Sequence, residues 1–178
     1  MPRDRFYDRF KYPSDDEEGI PDEVRSGAEA LGNAVIAFAD LEEQLALSVS
    51  FLIGRTDAVG NVVTAELSFK TRLHVFASLF RLTRPHSENL PRLDDLIAVF
   101  DQAEQLRNQI VHSSWQHDFE TMRLTRRKRT AKMSKGYRTD EESLTPVQIQ
   151  SVAHHFGYLG FIIDELLYIE FGSEYGSP

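Results

Sequence analysis

Three stripes of apolar residues recur along the chain at steps of three and four, and no other feature restricts the fold as tightly. Leu93, Leu96, Phe100, Ala103 and Ile110 form one stripe, and Val152, Phe156, Leu159, Ile163 and Leu166 form another. Leu31, Val35, Phe38, Leu45, Val49 and Leu52 form the third. Side chains three and four apart share one face of a helix, so each stripe predicts a long helix with one buried side. The punctuation agrees. Pro21 and the acidic residues after it open a first helix over about 21–53, which Gly54 closes. A helical segment over 59–82 follows, with a candidate break at Ser68, a capping residue, and a stop at Arg84-Pro85. The next helix covers 90–113, and Thr145-Pro146, a cap followed by proline at the first position, opens the last, over 146–171. Leu67, Phe69, Leu73, Val75, Phe76, Leu79 and Phe80 are apolar on more than one side of their segment, which suits a central helix or an interface between copies.

From Trp115 to Leu144 the period changes. Met122 and Leu124 alternate with Arg123 and Thr125, while Met133 and Tyr137 lie on one side of a second run. Alternation of this kind predicts two strands, joined near 128–131. The expected fold is therefore all-α: four main helices, up-down-up-down, with a β-hairpin inserted before the last. Residues 1–23 mix charge with Pro13 and Pro21 and suit an extended arm. Residues 24–171 form the helical domain, with 116–144 as its insertion, and 172–178 a loose tail.

Two charged residues interrupt the stripes, with opposite signs. Position 107 falls where the stripe calls for an apolar residue, and Arg107 stands there. Glu42 falls on the beat between Phe38 and Leu45. A guanidinium against a core needs a carboxylate or a polar groove. Either Glu42 pairs with Arg107, or Glu42 points to solvent beside its stripe.

Composition closes several routes. The chain has no cysteine, which excludes disulfides, thiolate catalysis and Cys-ligated zinc. Its N-terminus lacks the apolar core of a signal peptide, and no apolar run approaches membrane-spanning length, so a cytoplasmic protein without a membrane partner is expected. Net charge is −8, yet Arg123, Arg126, Arg127, Lys128, Arg129, Lys132, Lys135 and Arg138 fall between 121 and 139 with no acidic residue among them. A segregated run of this kind can hold a phosphate backbone on an acidic protein, or serve as a solvated face. His154 and His155 are adjacent and point about 100° apart on a helix. His74 and His86 lack carboxylates at ligand spacing. No metal or other cofactor is expected.

Near the end of the third long helix stand Arg107, Asn108 and His112. This Arg-Asn-x3-His spacing, placed late in that helix, resembles the signature of HEPN domains, small helical bundles many of which are metal-independent ribonucleases. Some members carry a tyrosine two residues after the histidine; here Ser114 stands there. The resemblance implies that Arg107 and His112 form a catalytic pair with Asn108 orienting a partner or phosphate, and that a homodimer joins two motifs in one cleft. The residues suit the chemistry: histidine shuttles protons near neutral pH, and a guanidinium offers forked donors to phosphate oxygens. They also suit plain structural roles, a histidine at a helix C-terminus and an arginine in a buried ion pair. The function expected is an endoribonuclease of HEPN type, cleaving single-stranded RNA or a tRNA loop through the ribose 2′-OH in defence or stress. The alternatives are a non-catalytic module binding RNA or protein, and the toxin half of a toxin–antitoxin pair with an antitoxin or regulatory partner.

Overall fold

The structure, a computed structural model, describes residues 22–55, 58–118, 120–121, 123–132 and 136–175. Helices α1 (Asp22–Leu52), α2 (Ala58–Ala65), α3 (Phe69–Thr83) and α4 (Leu90–Val111) come first. Strands β1 (Ser114–Asp118), β2 (Arg123–Lys132) and β3 (Gly136–Leu144) follow, then α5 (Pro146–Phe171). The expected four-helix bundle with a hairpin is thus corrected, among the described residues, to five helices and a three-stranded antiparallel sheet in the order β1-β2-β3.

Local signals set the helix ends. Gly54, at φ 70°, adopts the left-handed turn after α1 that side chains with a Cβ resist. Ser68 accepts the Thr71 amide at 3.2 Å and starts α3. At α5 the Thr145 side chain accepts the Gln148 amide while Gln148 Oε1 accepts the Thr145 amide, a reciprocal capping box. The proposed arm lies outside the described residues except for Asp22 and Glu23, which already belong to α1. Where a loose tail is expected, Gly172–Glu174 forms a turn of 3-10 helix and Tyr175 donates to Asp164 at 2.5 Å.

The up-down-up-down order is replaced as well. Along α1 and α5, partners advance together: Asn33 with Gln150, Phe38 with Phe156, Gln44 with Asp164, Phe51 with Phe171. These helices are therefore parallel. Helix α3 also runs with α1, since Phe69 meets Phe38 and Arg72 Nη1 donates to the Glu42 carbonyl. Helix α4 opposes both α3 and α5, with Phe100 stacked on Phe69, Arg81 paired with Asp94, and Arg92 paired with Glu165. The short α2 makes this possible by carrying the chain back along α1. A Cβ at Gly60 would lie 1.9 Å from the Arg55 carbonyl oxygen, so the return is that tight only with glycine. Arg72 then ties the end of α2 through Nε to the Thr64 carbonyl at 3.1 Å.

Phe38, Phe76, Phe80, Phe100 and Phe156 are fully buried at the centre of the helices. The apolar surface of 67–80, an expected interface, is largely consumed here: Phe69, Leu73, Phe76, Ala77 and Phe80 are buried, and Val75 and Leu79 pack against the core. A second cluster joins the sheet to the helices. Leu124 of β2 packs with Ala30 of α1 and Ile149 of α5, flanked by Trp115 and Leu144.

The strands also depart from expectation. β2 continues through 128–131, where a turn is expected, and pairs as far as Lys132 with Gly136. The chain supplies the reason in β3, whose Asp140, Glu141 and Glu142 stand opposite Lys128, Arg127 and Arg126. Opposite charges across an antiparallel pair stabilise the extended form of a run too polar to bury. β1 is the strand not foreseen; it begins two residues after the motif, and Trp115 Nε1 donates to the Ile110 carbonyl of α4 at 2.9 Å.

Candidate functional site

The motif lies at the end of the molecule where α4 finishes, α1 and α5 begin, and the sheet covers the cluster around Leu124. Its apparent missing beat has a simple resolution. Leu93, Leu96, Phe100 and Ala103 are buried, and the next inward side chain is Leu106, three residues on. On α1 the same happens, with buried Leu41 taking the beat assigned to Glu42. Buried Ala34 likewise replaces Val35, which is 44% exposed. At 3.6 residues per turn a stripe advances by either three or four, and the smaller step was available at all three places.

Arg107 and Glu42 therefore stand at the edges of their stripes. No ion pair joins them among the described residues. Instead the Arg107 guanidinium lies over the Phe38 ring, its Cζ 5.7 Å from the centroid, and Nη1 donates to Asn108 Oδ1 at 3.1 Å. The contact with the ring face attracts the cation, and neither partner cancels its charge. His112 closes α4: its amide donates to the Asn108 carbonyl at 3.1 Å, and its side chain is exposed. Asn108 thus meets Arg107 through its side chain and His112 through its backbone. That arrangement offers an uncompensated guanidinium and a solvent-accessible imidazole on one helix end.

The basic run divides by strand register. Trp115, His117, Leu124, Arg126, Lys128, Asp140, Glu142 and Leu144 share the face turned to the helices, as their pairings and alternation require. Arg126 accordingly has only 11% of its side chain exposed and pairs with Glu142 at 2.9 Å. On the outer face Arg127 pairs with Glu141 at 2.6 Å, while Arg138 pairs with Asp140 at 2.6 Å on the same side as Arg126. The acid-free stretch in sequence is thus partly compensated in space, at Arg126, Arg127 and Arg138. Arg123, Lys128 and Arg129 form no ion pair with another described residue. The side chains of Lys132 and Lys135 fall outside the described residues.

Asp118 finishes β1 and organises the turn that follows. Its carboxylate accepts from Thr121 Oγ1 at 2.6 Å and from the amides of Glu120 and Thr121. These bonds, the Thr121 hydroxyl foremost, favour the ionised carboxylate and hold its pKa below the usual carboxylate value. A polar hollow on the outer face, lined by Gln116, Asp118, Thr125, Arg127 and Glu141, lies beside that turn.

Two functional features were missed in the sequence. Trp115 fastens the sheet to the helix end carrying His112, and no local period marked that role, since the Leu124 and Leu144 beside it belong to other strands. The acidic run Asp140-Glu141-Glu142 pairs with part of the basic one, and its position just past that run foretold antiparallel pairing.

Among the described residues no group of three or more His, Cys, Asp or Glu is placed to hold a metal ion. No helix among them is long and apolar enough to cross a membrane. Comparison with known proteins finds no matching family model, no matching curated protein and no matching solved structure.

Proposed function

We propose that this protein is a metal-independent endoribonuclease of HEPN type, acting on single-stranded RNA or a tRNA loop in a cytoplasmic defence or stress response. The observation that carries the reading is the Arg107 guanidinium, held by the Phe38 ring and the Asn108 amide oxygen, on the helix end that exposes His112. An arginine kept only for stability would be expected on a carboxylate; this one keeps its charge for an incoming anion.

In the reaction, the His112 imidazole takes the proton from a ribose 2′-OH as that oxygen attacks the adjacent phosphorus. Arg107 donates to the non-bridging oxygens as negative charge builds there. The bond to the 5′-oxygen breaks and that oxygen receives a proton, leaving a 2′,3′-cyclic phosphate and a 5′-hydroxyl. A homodimer would bring a second His112 to donate that proton. Its contact would use the outer face of α5, where Tyr158, Phe161, Tyr168 and Ile169 are all more than half exposed, because 67–80 is taken up in the core. Among the described side chains of the basic run, Arg123, Lys128 and Arg129 are left to receive RNA phosphates.

The test is cleavage of total RNA by purified protein with and without chelator. Wild type should cleave in both and give cyclic-phosphate ends, while His112→Ala and Arg107→Ala should lose cleavage. Magnesium dependence, or activity surviving in both variants, would refute the assignment. Wild type that binds RNA and cuts none would favour a non-catalytic binding module.

A further inference from the structure

Between the end of α4, the inner face of the sheet and the first turns of α5 lies a cavity of about 170 Å³. Leu106, Ile110, Trp115, Leu144, Ile149 and Val152 supply its apolar walls. Two charged side chains enter the lining, Arg126 and Glu142, and they are paired with each other through Arg126 Nη2. Arg126 Nε is buried and has no hydrogen-bond partner. A buried donor left unpaired costs stability, so an acceptor arriving in the cavity would gain what the fold leaves unmade. Gln109 and Gln148, also in the lining, add further amide groups.

The size and chemistry of the space describe its occupant. A dry apolar cavity of about 150 Å³ holds one benzene ring. This one is slightly larger and carries a donor beside an acceptor, with no net charge from the pair. It suits a neutral, flat, six-membered ring whose edge presents an acceptor next to a donor. A pyrimidine base has that edge, and proteins that read single-stranded RNA capture splayed bases in apolar, aromatic-lined sites through such edges.

We propose that this cavity is a subsite for one unstacked pyrimidine base, with Arg126 Nε donating to the ring N3 or O2 and Glu142 accepting from the exocyclic amine of cytosine. The proposal rests on the RNA reading above and names the base that lies beside the cleaved bond. Trp115 links the two places, since it lines the cavity and donates to the Ile110 carbonyl, two residues before His112.

Trp115 is the sole tryptophan of the chain, so its fluorescence reports on the cavity directly. The full-length protein is titrated with free cytosine, then with adenine, whose two fused rings exceed the space. Cytosine should change the emission saturably with a Kd of roughly 1 mM, the range open to so small a ligand. Adenine should bind at least tenfold more weakly. Arg126→Lys keeps the charge and the partner Glu142 but loses the planar Nε donor, and should weaken cytosine at least tenfold. Val152→Phe fills the cavity and should abolish the response, which decides the matter if the lysine variant does not fold. His112→Ala should bind cytosine as wild type does, so loss of cleavage and loss of base binding are separate results. An unsaturable response to cytosine in wild type, equal affinity for adenine, or binding unaltered in both cavity variants would overturn the proposal.

Discussion

Gly27→Ala is a change for which sequence and structure forecast opposite signs. Residue 27 lies inside α1, where alanine is favoured over glycine by about 1 kcal/mol. From the sequence alone the substitution should stabilise. In the fold, however, a Cβ at this position would lie 2.6 Å from Leu124 Cδ1, 3.1 Å from Cδ2 and 3.2 Å from Cγ. Leu124 is 6% exposed and packed with Ala30 and Ile149, so its head cannot simply swing aside. Overpacking of this kind costs about 1–3 kcal/mol, which outweighs the helical gain or at best cancels it. The net expectation is a loss of roughly 0–2 kcal/mol. Leu124→Ala alone should cost about 2–5 kcal/mol as a buried truncation. In that background the obstacle is gone, and Gly27→Ala should then stabilise by about 1 kcal/mol. Urea unfolding followed by Trp115 fluorescence measures all four proteins, since Trp115 packs against the same cluster. A stabilisation of equal size in both backgrounds would refute the close docking of the sheet on α1.

Further expectations are as direct. RNA affinity should fall with salt, and replacing Arg123, Lys128 and Arg129 by Ala should flatten that slope more than replacing Arg127 and Arg138, which are already paired; equal effects would return these residues to the role of a solvated face. Burial and the neighbouring Asp164 push the Tyr175 hydroxyl well above its usual pKa. The folded state therefore holds that proton more tightly, and the resulting stability is present below the unfolded value of about 10 and lost as pH climbs beyond it. Tyr175→Phe should flatten the alkaline limb of a stability–pH curve, and an unchanged limb would reject this source. Phe161→Glu should convert a dimer to monomer on size-exclusion chromatography with the helical content retained; a wild type that already elutes as monomer would rule out the α5 contact.

The helices of this protein were legible in its sequence because their signals are local. Ser68, Thr145-Pro146 and Gly54 act on amides and carbonyls within four residues, and the observed bounds of α1, α3, α4 and α5 follow them closely. The Arg107–Asn108–His112 grouping was equally legible, since all three lie within two turns of α4. What the partners of those residues are was decided elsewhere. A stripe read in steps of three or four leaves one residue of slack, and only packing against the neighbouring helices chose Leu41 over Glu42 and Leu106 over the arginine beside it. Glu42 and Arg107 therefore bear opposite charges in sequence yet do not meet. Helix direction was also beyond local signals, because it depends on α2 turning back along α1, a return whose close approach at Gly60 has no room for a Cβ. The basic run shows the same division. Its charge is fixed by composition, but its field depends on register, which sets Arg126 and Arg127 against Glu142 and Glu141 and leaves only part of the run free. Local chemistry wrote the elements and the motif; long-range packing decided which charges stay uncompensated, because burial and pairing are properties of surfaces that meet only once the chain has folded.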